Sequence, residues 1–185
     1  MPTRSQKFYR HSIRLPDYDY SQPGFYYVTI CARDKKLMFG EIANGEIYLN
    51  EAGSIVQAVW SSMPERFPHV KLDAYMIMPN HMHGIIELLE SDVDRANNAS
   101  RAAQSIVSER NVINPLSARK RAALGEIIRA FKGATTNCIR TKVRPDFAWQ
   151  EDYYEHIVRN DKDLERIRKY IFDNPAQRES DRFYT

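Results

Sequence analysis

The sequence predicts an α+β protein in which helices cover one face of an antiparallel β-sheet. The chain has 185 residues, of which 43% are hydrophobic and 11% aromatic, a composition that suits one globular core. Strand-like and helix-like segments follow in the order strand, helix, strand, strand, helix, short strand, helix. The sequence contains no internal repeat and no Walker or Rossmann glycine motif. These observations favour a two-layer sandwich and a single domain over residues 1–185.

The first half of the chain contains clear strand and turn signals. Residues 24–31 are rich in aromatic and β-branched residues and predict a strand. Residues 37–49 predict a hairpin, because Asn44-Gly45 can supply two positive-φ positions. Residues 51–66 have apolar residues at helical spacing. Two more strands are predicted over residues 72–78 and 83–89, with a turn containing Pro79 between them.

The second half predicts two helices and one short strand. A basic helix is expected over residues 118–141, a short strand over 147–150 and a last helix over 161–173. Asn160 or Asp161 caps the last helix in this interpretation. Residues 91–114 are polar and have no clear period, so they predict a loop or an insertion.

Positive charge is concentrated in two segments, although the net charge is only +3. Residues 1–16 contain four Lys/Arg and no acid, and residues 101–144 contain ten Lys/Arg against two acids. Such segments favour a polyanion, although a solvated helix face has the same pattern. The predicted DNA contacts are phosphate-binding cations and one base-stacking ring: Arg4, Arg10, Arg14, Arg119, Lys120, Arg121, Arg129, Lys132 and Trp149.

The cysteines and the hydropathy favour a cytoplasmic protein, in a bacterium one with access to the nucleoid. Cys31 and Cys138 lie far apart and form neither a CxxC pair nor a disulfide framework. No apolar run reaches the length of about 20 residues that a membrane span needs. The basic N-terminus lacks the apolar core of a secretory signal.

The segment His81-Met82-His83 is a candidate metal site. Residues i and i+2 of a strand point to the same face, so the two imidazoles would lie side by side. Such a pair suits one divalent cation, and Gly84 would leave room for a ligand or another backbone. Two ordinary histidines would show the same spacing. A hydrolytic zinc site is less favoured, since no HExxH helix or cysteine cluster completes one.

The last predicted helix offers a candidate nucleophile. Tyr170 lies on one flank of its apolar stripe, and Asn174 follows four residues later on the same flank. Pro175 is expected to disfavour the helical conformation at Asn174. An amphipathic edge tyrosine and a helix-capping asparagine would have the same spacing, and Tyr153 and Tyr154 are rival nucleophiles.

Five stretches resemble one known family and together span most of residues 10–177: RHSIRLPDYDYSQPGFYYVTICA, KLMFGEI, LDAYMIMPNHMHGIIEL, IIRAFKGATTN and WQEDYYEHIVRNDKDLERIRKYIFDNPAQ. The chain resembles the REP-associated tyrosine transposases, which are single-tyrosine transposases of the histidine–hydrophobic–histidine nuclease superfamily. The combination of MPNHMHGII with the later WQ, YYEHIVR and NP motifs is specific.

The resemblance implies a ferredoxin-like sandwich and a metal-dependent reaction on DNA. His81 and His83 would bind Mg²⁺ or Mn²⁺, and Tyr170 would form a 5′-phosphotyrosine. Asn174 stands where related transposases commonly have a glutamine that completes the metal site. The substrate would be single-stranded DNA beside a palindromic hairpin, in this branch a repeated extragenic palindrome. A monomer is favoured over the helix-swapped dimer of classical relatives.

Two other functions remain open at the level of sequence. A non-catalytic nucleic-acid-binding module could use the same sandwich and its aromatic residues. A metal hydrolase would use water as the nucleophile, so it would form no covalent adduct and would not need Tyr170.

Overall fold

The computed structural model describes residue 15, residues 18–90 and 122–177, and residues 181 and 183. The basic N-terminal segment 1–16 therefore lies almost entirely outside the described residues. The polar segment 91–114 and the first part of the predicted basic helix also lie outside them. Among the helices that the structure describes, none combines the length and the hydropathy needed to cross a membrane.

The described residues form six strands and four α-helices. In chain order these are β1 (Gly24–Cys31), a 3₁₀ turn (Arg33–Lys35), β2 (Gly40–Ala43), β3 (Glu46–Leu49), α1 (Glu51–Ser61), α2 (Met63–Arg66), β4 (Val70–Ile77), β5 (His81–Leu88), α3 (Leu124–Lys142), β6 (Tyr154–Val158) and α4 (Asp161–Asp173). An antiparallel sheet has the order β4-β5-β1-β6, and β2 pairs with β3. The succession β1, α1, β4, β5, α3, β6 with this strand order is ferredoxin-like. The α+β class and the antiparallel sheet are confirmed.

The two faces of the sheet bury different helices, because successive side chains of a strand point to opposite sides. Val28 and Ile30 of β1 join the main core with residues of α1 and α3. Tyr27 of β1 and Ile85 of β5 pack instead against α4. The expectation of helices on one face therefore holds for α1 and α3 but not for α4. The apolar stripe of α4 covers the second face. The candidate site residues His81 and His83 lie on that face.

Three element predictions differ from the structure. The basic helix expected over 118–141 begins only at Leu124, because Ala123 is extended. The helix expected over 51–66 is divided at Ser62, and Pro64 lies in the first turn of α2, where the missing N–H costs no hydrogen bond. The strand expected over 147–150 is only an isolated bridge between Trp149 and Ala32. Trp149 enters the core there, and its Nε1 donates to Thr135 Oγ1 over 2.8 Å. The pairing strand is β6, a few residues later.

Gly84 lies against an indole ring, and we predict that the chain needs glycine there. A Cβ at Gly84 would meet Trp60 Cζ2 at 2.5 Å, so the room expected for a ligand is filled by Trp60. Gly84→Ala should lower the free energy of unfolding by about 1–3 kcal/mol through overpacking, measured by urea denaturation. Gly133→Ala is the control, because nothing lies within 4 Å of its added Cβ in α3. Equal stability of Gly84→Ala and wild type would contradict the packing account.

Candidate active site

The pairing of β5 with β1 brings the two histidines together. His81 pairs with Cys31 and His83 with Thr29, and both imidazoles are fully buried on the face that also carries Tyr27. Their Nε2 atoms lie 2.9 Å apart. The strand period thus places the imidazoles side by side as predicted, and Met82 between them points into the main core.

Hydrogen bonds determine which nitrogen of each imidazole faces the site. His81 Nδ1 lies 2.6 Å from Asn80 Oδ1, and the Asn80 amide is oriented by Nδ2, which donates to the Phe183 carbonyl over 3.1 Å. An amide oxygen only accepts, so His81 Nδ1 carries the proton. His83 Nδ1 lies 2.7 Å from the Tyr27 hydroxyl and 2.9 Å from Thr29 Oγ1. Thr29 Oγ1 donates to the Tyr27 hydroxyl and can itself accept from His83 Nδ1, while the Tyr27 hydroxyl can donate to the same nitrogen. The Nε2 lone pair of His81 therefore points into the site, and that of His83 does so in the tautomer whose Nδ1 carries the proton.

Asp181 joins the histidines and is the site residue that sequence reasoning missed. Its Oδ2 lies 2.9 Å from His81 Nε2 and 3.5 Å from His83 Nε2, and the carboxylate is almost completely buried. Burial alone would raise the pKa of Asp181. Hydrogen bonds from His81 and His83, which donate when their Nε2 atoms carry a proton, and from the Phe183 amide outweigh that effect, so the pKa lies well below its usual range. No local motif marks this aspartate, which lies 98 residues after His83.

This group has the donor atoms and the spacing of a metal site. When both Nδ1 atoms carry the protons, two nitrogen lone pairs and a carboxylate oxygen converge, and a positive charge, either a proton or a metal ion, stabilises them. Adjacent ligands of an octahedral ion lie about 3 Å apart when each is about 2.1 Å from the metal. The observed nitrogen–nitrogen and shorter nitrogen–oxygen separations, both 2.9 Å, match that spacing. His81, His83 and Asp181 could therefore hold a divalent cation.

Asn174 supplies a further oxygen beside this group. The side chain is buried, and its Nδ2 lies 3.2 Å from His83 Nε2. Its Oδ1 is buried and has no hydrogen-bond partner among the described residues. A half turn of the amide would exchange the two atoms and bring the orphaned oxygen next to His83. Pro175 does not displace Asn174 from the helical region, since Asn174 keeps φ −56° and ψ −44°.

Tyr170 reaches the same site from α4. Its hydroxyl donates to Asp181 Oδ1 over 3.1 Å, and its ring meets His83 edge-on with 5.3 Å between ring centroids. The side chain is 38% exposed, so a substrate can approach the hydroxyl while the ring stays packed. Tyr154 lies on β6 opposite Thr29, and Tyr27 is buried with its hydroxyl committed to His83. Tyr153, the other rival, packs against the main core, whereas Tyr170 is exposed and donates to Asp181.

The predicted DNA contacts have different outcomes. Six of them lie outside the described residues: Arg4, Arg10, Arg14, Arg119, Lys120 and Arg121. Arg129 is exposed on α3. The Lys132 ammonium donates to the carbonyls of Gln150 and Glu151 over 2.6 and 2.7 Å, and burial lowers its pKa. Trp149 is only 6% exposed, so its ring offers no free face to a base, and the prediction of base stacking is corrected.

Comparisons with known proteins point to one family. No family model matches the chain. A Haemophilus influenzae protein whose name states no function is 36% identical over 176 residues, covering 95% of this chain and 93% of its own length. A second protein of that organism, named provisionally as a REP-associated tyrosine transposase, is 27% identical over 159 residues, with 86% and 74% covered.

A solved structure has the same fold. It is a REP-associated tyrosine transposase bound to a REP hairpin, and it superposes with a TM-score of 0.57 at 19% identity. The superposition covers 91% of this chain and 74% of the other.

We predict that Asn80 is needed to present His81 to a metal ion. Asn80→Ala removes the oxygen that accepts from His81 Nδ1, so the imidazole can rotate or change tautomer. Mn²⁺ affinity, measured by calorimetry, should fall about 10- to 100-fold. Asn137→Ala, at an exposed position of α3, is the matched control and should bind Mn²⁺ as wild type does. Unchanged affinity of Asn80→Ala would contradict this role.

Proposed function

We propose that the chain is a REP-associated tyrosine transposase that cuts and rejoins single-stranded DNA beside palindromic hairpins, as its 27% identity to a protein of that name and the shared fold support. The observation that carries the proposal is the convergence of Tyr170, the histidine pair and Asn174 around Asp181. A candidate nucleophile thus lies beside atoms that could bind a metal ion, and this arrangement supports the proposal.

His81, His83, Asp181 and Asn174 would hold Mg²⁺ or Mn²⁺ in this proposal. Carboxylate and amide oxygens suit both ions, and the two imidazoles add affinity for Mn²⁺ in particular. The bound ion would supply positive charge against the phosphate oxygens as charge builds up in the transition state. Asn80, Tyr27 and Thr29 keep the imidazole lone pairs directed at that position.

The proposed reaction exchanges one phosphate ester for another. Tyr170 Oη attacks the phosphorus, the Oη–P bond forms, and the bond from phosphorus to the 3′-oxygen breaks. The phenolic proton leaves Tyr170, and the departing 3′-oxygen takes up a proton. The DNA 5′ end remains as a phosphotyrosine, and a 3′-hydroxyl can later attack it to rejoin a strand. Asp181 accepts a hydrogen bond from the Tyr170 hydroxyl and so orients it before attack.

The remaining features of the proposal concern substrate and assembly. We propose a hairpin substrate because a related transposase is solved with a REP hairpin. The cations Arg129, Arg119, Lys120 and Arg121 and those of the N-terminal segment are the proposed phosphate contacts. We also propose that the 185 residues act as one cytoplasmic catalytic unit. One chain contributes both Tyr170 and the histidines, which supports a monomer.

Covalent trapping tests the nucleophile. Wild type incubated with labelled single-stranded hairpin DNA and Mn²⁺ should form a protein–DNA adduct that survives denaturation. Tyr170→Phe keeps the packed ring but lacks the attacking oxygen, so its adduct should fall to background. Tyr154→Phe is the matched control and should retain the adduct. Cleavage without an adduct would identify a water-using hydrolase, and binding without cleavage would identify a non-catalytic module. Either result would overturn the proposal.

Substitution of the histidines separates metal chemistry from DNA binding. His81→Ala and His83→Ala should each lower the cleavage rate by more than about 100-fold, because both Nε2 atoms face the metal position. Hairpin affinity, measured by fluorescence anisotropy, should stay close to wild type, since phosphate contacts lie elsewhere. His69→Ala, whose imidazole contacts the Ala122 carbonyl away from the site, should leave both quantities unchanged. Full activity in either site variant would contradict the assigned role.

A further inference from the structure

We propose that Arg168 and Asp73 form a positioning lock that sets the rotation of α4 and thereby the reach of Tyr170. This inference rests on the proposed function, in which Tyr170 is the nucleophile. Arg168 Nε lies 2.8 Å from Asp73 Oδ1, and Arg168 Nη2 lies 2.6 Å from Asp73 Oδ2. Such a two-pronged contact fixes orientation as well as distance, because the planar guanidinium matches the two carboxylate oxygens.

A β-bulge presents Asp73 to the helix. Leu72 pairs with Ile86 and Tyr75 pairs with Gly84, so Asp73 and Ala74 both stand opposite the single residue Ile85. Ile85 faces α4, and Ala74 packs against the same cluster. Without the extra residue, strand alternation would turn one of the two to the opposite face. The bulge thus directs two successive side chains towards α4. Ala74 packs beneath the helix, and the Asp73 carboxylate contacts Arg168 at its side.

Arg168 and Tyr170 lie on opposite flanks of the buried stripe of α4. At about 100° per residue, Arg168 stands about 100° to one side of Ile167 and Tyr170 about 60° to the other. Leu164 and Ile171 complete the apolar stripe. Apolar burial is not directional, so the contact between Arg168 and Asp73 adds a directional restraint on rotation of the helix. A roll that lifts Tyr170 from Asp181 must strain the contact between Arg168 and Asp73 on the other flank.

The surroundings strengthen the contact. Both side chains are partly buried, with relative exposures of 32% for Arg168 and 20% for Asp73. The hydrogen bonds from Arg168 hold the pKa of Asp73 below its usual range, so the carboxylate is charged at neutral pH. Arg168 also contacts Glu165 one turn earlier on α4, which restrains the guanidinium. Two other ion pairs of α4, Arg166 with Asp163 and Lys169 with Asp173, stay within the helix. Asp163 in the first turn of α4 also lies 2.7 Å from His156 Nε2 on β6, whereas Arg168 contacts the sheet two residues before Tyr170.

The test compares Arg168→Ala with Arg166→Ala, which breaks only the pair within the helix. Arg168→Ala should slow formation of the covalent DNA adduct by about 10- to 100-fold, as expected for a misplaced nucleophile. Hairpin affinity and Mn²⁺ affinity should stay within about twofold of wild type, because neither binding group has changed. The exchanged pair Asp73→Arg with Arg168→Asp should recover most of the lost rate. Arg166→Ala should react as wild type does.

Hydrogen exchange provides a readout that does not need the reaction. Amide exchange in α4 should accelerate in Arg168→Ala and not in Arg166→Ala, whereas α1 should be unaffected in both. If wild type formed no adduct, the proposed function would fail. Amide hydrogen exchange in α4 would still show whether Arg168 and Asp73 restrain the helix. Equal exchange and equal adduct rates in the two variants would overturn the lock. A rate loss that the exchanged pair does not recover, or a matching loss of hairpin affinity, would also overturn it.

Discussion

The pairing of β5 with β1 is the constraint on which the site depends. Its register sets His83 beside Thr29 and turns both imidazoles to the face that α4 covers. A slip by one residue would send the histidines into the main core and Met82 into the site. The opposite face resists that slip, because the position against the indole of Trp60 has no room for a Cβ and a slip would replace Gly84 there by a larger residue. Packing on one side of the sheet therefore protects chemistry on the other.

The site itself is a buried concentration of electron-rich atoms. Asn80 contacts the outer nitrogen of His81, and Thr29 and Tyr27 contact that of His83, so the inner nitrogens of both imidazoles face Asp181. Such an arrangement is unstable without a cation or a proton. The buried Asn174 Oδ1, which has no hydrogen-bond partner among the described residues, would also be stabilised by a cation. The same electron-rich atoms could hold a divalent cation. Tyr170 stands at its exposed edge, held by a helix that covers the sheet.

Local patterns predicted the parts of the molecule that local physics determines. Strand β1, the turn at Asn44-Gly45, the bounds of α4 and the shared face of His81 and His83 follow from residue type and periodicity. Asp181 did not, because its place depends on a contact with residues 98 or more positions earlier. Strand β6 was missed because its sequence YEHIV mixes charged and apolar residues. The role of Trp149 was predicted wrongly, because an indole can either pack in a core or stack on a base. Only the tertiary structure shows that this ring is buried.

The central claim is that Tyr170 attacks a phosphodiester held at the histidine pair. Its most direct measurement is mass spectrometry of the peptides recovered after wild type has reacted with hairpin DNA and nuclease has trimmed the attached strand. The account predicts one modified peptide, with a phosphonucleotide mass on the residue Tyr170 and only in the presence of a divalent cation. The same mass on Tyr153 or Tyr154, or cleaved DNA with no modified peptide, would contradict it.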